Sequence, residues 1–284
     1  MNPKELNLIK TRTSEVDDVK KYVFEYGNSP VEVVYVDNHT GKDIVCVPSQ
    51  TGCKLGCQFC HLTMNPRPQR MIEERFTFEA INHVLQDLSL PKENKTLLIS
   101  FMGMGEPMLL PEYVLDVASL VETHHSDQYE KVRFALASIV PQPQKLHKLR
   151  NLVLENEIDL KIHWSLHHPD PERRKHYMPM SGDIMETADL LSAYREVTSN
   201  PIEVHYTLFD GNDSMETADY LAALMLMYDF PLKFLRFSQR PDKALNPSAT
   251  EEKFIARVKE LGVKMEFYTP PGHDILGACG EFES

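Results

Sequence analysis

The chain has 284 residues, 42% of them hydrophobic, which is enough for one large α/β domain or two small ones with a full core. Its formal net charge of −12 argues against indiscriminate binding to nucleic-acid phosphate, which needs a basic surface. No apolar run approaches the ~20 residues that a membrane helix needs, and the polar N-terminus contains no signal-peptide core. We therefore expect a cytoplasmic protein that does not bind membranes.

The first residues are typical of a small β-sheet. Apolar alternation predicts strands over Lys21–Tyr26 and Val31–Val36, separated by a turn at Gly27–Pro30. A second turn is expected at Asn38–Gly41. Residues 1–42 are therefore predicted to form an N-terminal β extension, and residues 43–284 a second, larger unit.

In that larger unit, short apolar strands alternate with helical patterns, which indicates βαβ units and a parallel sheet. Strands are predicted near residues 44–49, 97–103, 131–137, 160–166, 202–208, 232–238 and 263–268. Helices are predicted near residues 75–89, 112–124, 142–154, 184–198, 215–228 and 248–261. This order fits a partial (β/α)6 barrel, with a doubly wound sheet as the competing fold.

The strand faces favour the barrel. His163, Ser165 and His167 lie on one face of their strand, with apolar residues on the other. The next strand places Glu203, His205 and Thr207 on one face, and a later one sets Arg236 and Ser238 against Leu235 and Phe237. In a doubly wound sheet, helices cover both faces, so the strand residues should be apolar on both faces. The pattern instead predicts a polar cavity, with functional groups near the carboxyl ends of the strands.

Three of the five cysteines form the motif CxxxCxxC directly after the first barrel strand, at Cys53, Cys57 and Cys60. Fully ligated clusters use four cysteines, so three thiolates leave one iron of a [4Fe-4S] cluster open to a ligand. This spacing predicts such a cluster and the cleavage of S-adenosylmethionine (SAM) on it. Two alternatives are covalent haem, because Cys60 precedes His61 in a CxxCH pattern, and a zinc site of three cysteines and His61.

A glycine-rich turn ends the next predicted strand, at Gly103-Met-Gly105-Glu106-Pro107. Glycines let a backbone approach a ligand closely. Beside a cluster with an open iron, the Glu106 carboxylate fits the amino group of SAM.

With these residues, the chain resembles the RlmN/Cfr family of radical SAM RNA methyltransferases over nearly its whole length. The landmarks are Val31–Tyr35, Cys46–Cys53, the cysteine loop, Gly103–Pro107, Ser165–His167, Leu208–Asn212 and Asp274–Gly280. All five cysteines match family positions. The resemblance implies an RNA substrate (rRNA or tRNA), a reducing partner such as flavodoxin or ferredoxin, and a monomer.

The resemblance also implies a role for each matched residue. Cys279 would accept a methyl group from one SAM, and a second SAM would supply a 5′-deoxyadenosyl radical that abstracts hydrogen from it. The methylene radical would add to C2 or C8 of adenine. Glu32 would then remove the ring proton, and Cys46 would release the product by forming a disulfide with Cys279. The residues implied to contact SAM are Gly105, Glu106, Ser138, Ser165, His167 and Gln239.

The chain departs from the family in three ways. It resembles a short form without the N-terminal accessory domain, and its net charge is −12. Ser138 ends an Ala-Leu-Ala-Ser segment in place of a Ser/Thr-rich one, and Gln239 replaces an Asn. Local basic clusters are candidate RNA contacts or simply solvated surface: Lys145, Lys148 and Arg150; Arg173, Arg174 and Lys175; Arg67 and Arg70.

Three hypotheses remain open at this point. The first is the adenine methyltransferase, acting on rRNA, tRNA or another adenine-containing molecule. The second is a radical SAM enzyme of another reaction type, which would need the cluster but not Cys279. The third is a metal-stabilised binding module without enzymatic activity.

Overall fold

The structure, a computed structural model, describes residues 6–37, 39, 41–91, 95–237, 245–278 and 280–282. Ten strands form one sheet in the order in which they occur along the chain. They are β1 (Asn7–Thr13), β2 (Val19–Tyr26), β3 (Ser29–Asp37), β4 (Lys42–Cys46), β5 (Thr96–Phe101), β6 (Lys131–Ser138), β7 (Leu160–Ser165), β8 (Ile202–Leu208), β9 (Leu232–Arg236) and β10 (Met265–Tyr268). Strands β1 to β4 pair antiparallel, and β4 to β10 pair parallel.

Helices connect the parallel strands. They are α1 (His61–Met64), α2 (Glu74–Asp87), α3 (Pro111–His125), α4 (Lys145–Glu155), α5 (Pro171–Tyr177), α6 (Ile184–Thr198), α7 (Met215–Tyr228) and α8 (Glu251–Glu260). Doubly wound folds reverse their strand order at a switch point, whereas this sheet winds in one direction. The predicted partial (β/α)6 barrel with an N-terminal β extension is confirmed, and the doubly wound alternative is wrong.

Several helices begin where the sequence supplies a side-chain cap. Asp183 accepts from the backbone N–H of Glu186 at the start of α6, and Ser214 accepts from Thr217 at the start of α7. Such caps satisfy N–H groups that have no partner within the helix. The edge strand β1 was not predicted, because all its residues are exposed and no apolar alternation marks it.

The two faces of the parallel sheet differ. The face toward the helices is apolar and almost fully buried, and it forms the main core with them. Its strand residues include Val45, Leu97, Ile99, Phe134, Leu136, Ile162, Trp164, Val204, Tyr206 and Phe234. The opposite, concave face carries the polar side chains. The outer face of the barrel is thus packed against helices, whereas its inner, concave face is open to a cavity.

The C-terminal segment crosses back from β10 to the N-terminal extension. The backbone N–H of Gly272 donates to Asp17 at 2.7 Å, and Asp274 accepts from the Ser14 hydroxyl at 2.7 Å. Lys21 on β2 donates to the carbonyl of Leu276 at 3.0 Å. These bonds hold the residues that precede Cys279 against the antiparallel strands. None of the helices in the described ranges is long and apolar enough to cross a membrane.

Candidate active site

A first cavity, here called the upper cavity, lies at the carboxyl ends of the parallel strands. Its wall includes Cys53, Cys57 and Cys60, each half-buried. It has about 1120 Å³ of empty space, part of it open to solvent. The predicted cysteine trio therefore faces a cavity at the carboxyl ends of the strands.

The spacing of the cysteines fits a cluster better than a single metal ion. Thiolates around one zinc ion, with Zn–S bonds of about 2.3 Å, lie less than roughly 4 Å apart. Within the described ranges, only His163, Glu203 and His205 bring three ligand atoms within 4.8 Å of one another. The thiols are thus splayed, as expected when each binds its own iron of a cubane. This observation counts against the zinc alternative.

Burial raises the pKa of Cys53 to about 11 and that of Cys57 well above its ordinary value. Both groups are therefore neutral thiols until iron binding displaces their protons. The residues present fit a [4Fe-4S] cluster held by three thiolates.

The glycines of the next turn are required by close packing. A Cβ at Gly103 would lie 2.8 Å from the backbone of Val47, and one at Gly105 would lie 2.9 Å from the backbone nitrogen of Gln50. Gly105 also has φ = +101°, which other residues rarely adopt. The turn after β5 therefore packs directly on the loop after β4, and this contact places Glu106 in the cavity wall.

Glu106 is buried with both carboxylate oxygens engaged. Oε1 accepts from the backbone N–H of Met108 at 3.0 Å, and Oε2 accepts from that of Ile139 at 3.3 Å. Burial raises the pKa of Glu106 to about 7, against the opposing effect of a hydrogen bond with Ser138. A cationic amino group in this cavity would favour the ionised carboxylate. Glu106 and Ser138 thus lie together, as the prediction for a SAM subsite requires.

Ser165 and His167 line the same cavity, at the end of β7. The ring of His167 accepts from the backbone N–H of Thr207 at 2.9 Å and packs edge-on against Phe59, with ring centroids 4.7 Å apart. Burial lowers the pKa of His167 to about 3, so the imidazole is neutral. The structure therefore gathers Gly105, Glu106, Ser138, Ser165 and His167 around the cysteine loop.

A second cavity, the lower cavity, lies on the concave face nearer the amino ends of the strands. Cys46 lines it, half-buried, and so do Gly277 and Ala278 of the C-terminal segment. Among the described residues, Cys46 and the three loop cysteines form no disulfide with one another. The predicted disulfide partner, Cys279, and the predicted SAM contact Gln239 lie outside the described residues.

Glu32 shares the concave face with Cys46. Val34 pairs with Cys46 across β3 and β4, and Glu32 lies two residues before Val34. The carboxylate is buried between two cations, with Lys21 Nζ at 3.0 Å and Arg67 Nη2 at 3.4 Å. Glu32 is therefore a buried, ion-paired residue and not a solvent-facing one.

The candidate basic clusters are not uniformly exposed surface. Arg174 is buried and donates to backbone carbonyls, and Arg67 pairs with Glu32. Lys148 pairs with Glu112, and Lys145 donates to the carbonyl of Leu109. These side chains stabilise the fold or the site, and a basic stretch of sequence does not reveal such contacts.

The face assignment on β9 was also wrong. Lys233 and Leu235 line the lower cavity, while Phe234 packs in the main core. Arg236 is exposed and lies at the rim of the upper cavity, where it pairs with Glu251. Both faces of this short strand carry apolar residues, so the sequence does not show which face lines the cavity. The reasoning from sequence also missed a polar cluster around Glu203, although the strand alternation had already placed His163, Glu203 and His205 on polar faces.

Comparison with known proteins agrees with this geometry. The radical SAM superfamily matches residues 47–224, more than half of the chain. A relative from Porphyromonas gingivalis, a probable dual-specificity RNA methyltransferase RlmN, is 30% identical over 93% of this chain and 75% of its own length. The chain belongs to the radical SAM superfamily and, within it, to the RlmN family.

A second relative is similar in sequence, and a solved structure is similar in fold. A probable dual-specificity RNA methyltransferase RlmN from Lachnospira eligens is 29% identical, over 98% of this chain and 78% of its own length. The crystal structure of a radical SAM methyltransferase from Sphaerobacter thermophilus aligns with a TM-score of 0.85 at 21% identity, over 97% of this chain and 80% of that one. The cofactors predicted from the cysteine loop, a [4Fe-4S] cluster and SAM, are those of the superfamily.

Proposed function

We propose that this chain is a methyltransferase that uses Cys279 as a methyl carrier and modifies C2 or C8 of an adenine in RNA. The observation that carries the proposal is the convergence of three groups on one concave face: the cysteine loop, Cys46, and the residues on either side of Cys279. The names of the family relatives support an RNA substrate. When bound, the cluster and SAM supply the methyl group and a 5′-deoxyadenosyl radical.

The neighbours of Cys279 support its role. Ala278 lines the lower cavity together with Cys46, and Gly280 lines the upper cavity. The backbone N–H of His61, directly after the last loop cysteine, donates to the Gly280 carbonyl at 3.0 Å. The C-terminal segment thus connects the cofactor end of the barrel with the end that holds Cys46.

Cys46 and Glu32 supply the release chemistry in this proposal. Once the methylene radical on the Cys279 sulfur has added to the adenine carbon, Glu32 would remove the proton from that carbon and the unpaired electron would return to the cluster. The Cys46 thiolate would then attack the Cys279 sulfur, so that an S–S bond forms and the S–C bond breaks, and the released carbon would take up a proton to become the methyl group of the base. Lys21 and Arg67 fix both oxygens of Glu32, so the carboxylate keeps a single orientation.

Several further features belong to the proposal. A reducing partner such as flavodoxin or ferredoxin would supply electrons and allow the disulfide to be reduced. The protein would act as a cytoplasmic monomer, with residues 1–42 as a β extension and residues 43–284 as the catalytic unit. Gln239 would complete the SAM site.

The test is nucleoside mass spectrometry after anaerobic incubation of the reconstituted protein with SAM, a reductant, and rRNA or tRNA. The proposal predicts 2-methyladenosine or 8-methyladenosine with the native chain and none with Cys279→Ala. Product formation that survives Cys279→Ala would instead indicate a radical SAM reaction of another type.

A further inference from the structure

The lower cavity adjoins the upper cavity. It has about 1260 Å³ of empty space, part of it open to solvent, and its outer wall includes Lys42, Thr96 and Pro201 at the amino ends of strands. Both cavities are lined by Met102, His205, Leu235 and Pro270. A ligand in the lower cavity therefore lies next to the cofactor end of the barrel.

A polar cluster on β7, β8 and β9 forms one wall of this region. Glu203 Oε1 lies 3.0 Å from His163 Nδ1, 3.1 Å from His205 Nε2 and 2.9 Å from Lys233 Nζ. Its other oxygen, Oε2, lies 2.9 Å from Lys161 Nζ. One carboxylate thus holds two lysines and two histidines, and all four of these side chains line the lower cavity.

The cluster carries a net positive charge. Burial lowers the pKa of His163 and that of His205, so both rings are neutral. Burial opposes the ionisation of Glu203, but the adjacent histidines and Lys161 lower its pKa overall, so it is ionised. Two ammonium groups therefore face one buried carboxylate, and Lys42 adds positive charge to the same cavity wall, although the chain as a whole carries −12.

The lysines retain capacity to bind an anion. An ammonium group has three N–H donors. Lys161 uses one on Glu203, and Lys233 pairs with Glu203 and more distantly with the exposed Glu266, at 3.5 Å. Although the histidines and Glu203 could ligate a metal, two ammonium groups lie beside the same carboxylate and repel a divalent cation. The cluster is therefore suited to an anion.

The separation of Cys46 and Lys161 across the sheet matches the length of a nucleotide. Cys46, Ser100, Ala135 and Lys161 pair in one row across β4, β5, β6 and β7. Neighbouring strands are spaced by about 4.8 Å, so the backbones of Cys46 and Lys161 lie roughly 14 Å apart. A base beside Cys46 therefore leaves room for its ribose, and its phosphate then approaches the end of the lysine side chain.

We propose that the lower cavity receives the substrate nucleotide and that Lys161 and Lys233 bind its phosphate. This inference rests on the proposed function, which places an adenine beside Cys46. The phosphate belongs either to a free adenine nucleotide or to a nucleotide within RNA, and both sources present the same chemistry to the two lysines.

The test is isothermal titration calorimetry on the anaerobically reconstituted protein with adenosine, 5′-AMP and a short RNA containing one adenine. We expect 5′-AMP or the RNA to bind at least about tenfold more tightly than adenosine, since charge-assisted hydrogen bonds are among the strong ones. Lys161→Met and Lys233→Met should each remove most of that advantage and leave adenosine binding unchanged. Lys253→Met, which removes an exposed charge on α8, is the matched control.

Lysine-dependent binding of the RNA but not of 5′-AMP identifies RNA as the source of the phosphate. Lysine-dependent binding of 5′-AMP extends the site to free nucleotides. Equal binding of all three ligands, no binding of any, or an equal loss in Lys253→Met would overturn the inference. Lys161→Arg and Lys233→Arg keep the charge and should stay within about threefold of the native affinity, which separates loss of phosphate binding from loss of folding.

Methylation of Cys279, read by mass spectrometry, needs no RNA and separates the two proposals. If phosphate binding follows the lysines but Cys279 is never methylated, the methyltransferase proposal fails and the anion site stands. If adenine is methylated with an unchanged KM in Lys161→Met and Lys233→Met, the anion site fails and the methyltransferase proposal stands.

Discussion

The guanidinium of Arg174 forms hydrogen bonds with the loops that carry the predicted SAM contacts. Its Nε donates to the carbonyl of Leu166 at 3.0 Å, Nη1 to that of Gly182 at 2.7 Å, and Nη2 to that of Ile139 at 2.9 Å. Nη2 also reaches the carbonyl of Ser165 at 3.3 Å. These acceptors follow β6, follow β7 and precede α6, so one guanidinium fixes three separate parts of the cavity wall.

Replacing Arg174 with Met removes every donor and leaves four carbonyls without this partner. The side chain is 1% exposed, and burial lowers the pKa of the guanidinium to about 10, which shows that its desolvation offsets part of the gain. Each buried carbonyl left unsatisfied typically costs about 1–3 kcal/mol, and removal of the desolvated charge offsets part of the total. We expect a net loss of about 3–5 kcal/mol in the free energy of unfolding, together with weaker SAM binding.

Urea denaturation followed by circular dichroism measures the loss. Arg173→Met is the matched control, because the Arg173 side chain is exposed and its backbone N–H, which the substitution keeps, caps α5 through Asp170. Arg174→Lys, which restores part of the hydrogen bonding, should fall between the native chain and Arg174→Met. A loss below about 1 kcal/mol for Arg174→Met, or an equal loss for Arg173→Met, would refute the reasoning.

Three further predictions concern the cofactor end and the pH response. Glu106→Gln keeps the shape but removes the charge, so SAM binding measured by equilibrium dialysis should weaken by about tenfold or more while the iron content stays unchanged; equal binding would exclude the proposed role. Gly105→Ala places a Cβ against Gln50 and should reduce SAM binding far more than Gly262→Ala, which has similar positive φ but no atom within 4 Å of the added Cβ; similar effects would mean that strain alone acts. Lowering the pH from 7.5 to 6.0 should reduce the free energy of unfolding by roughly 2 kcal/mol net, because burial lowers the pKa of five histidines. The stabilisation from these neutral histidines is complete only above the unfolded pKa of about 6.5 and is lost as the pH falls toward the lower folded values, while the raised pKa of Glu106 has the opposite effect. A constant or rising free energy of unfolding over this pH range would contradict the prediction. The five histidines are His125, His163, His167, His168 and His205.

Features encoded locally could be predicted from the sequence. The cysteine loop, the glycine turn before Glu106 and the alternation of strands and helices each depend on neighbouring residues, and the structure shows all of them. The polar alternation around His163 and Ser165 correctly indicated a cavity, because one side of each strand is buried against helices and the other faces inward.

Features that depend on distant parts of the chain could not be predicted. Arg174 lies in a basic run that reads as surface, and its burial follows only from the meeting of the Ile139, Leu166 and Gly182 loops. The charge cluster on Glu203 joins three strands. Strand β1 has no alternating pattern, since an exposed edge strand buries neither face.

The central claim is that Cys279 carries a methyl group, and peptide-mapping mass spectrometry of the purified protein tests it most directly. After anaerobic cluster reconstitution and incubation with SAM, the account predicts a mass increase of one methyl group on the peptide that contains Cys279. Cys46 and the three loop cysteines should remain unmodified under the same conditions. An unmodified Cys279 would contradict the methyl-carrier mechanism.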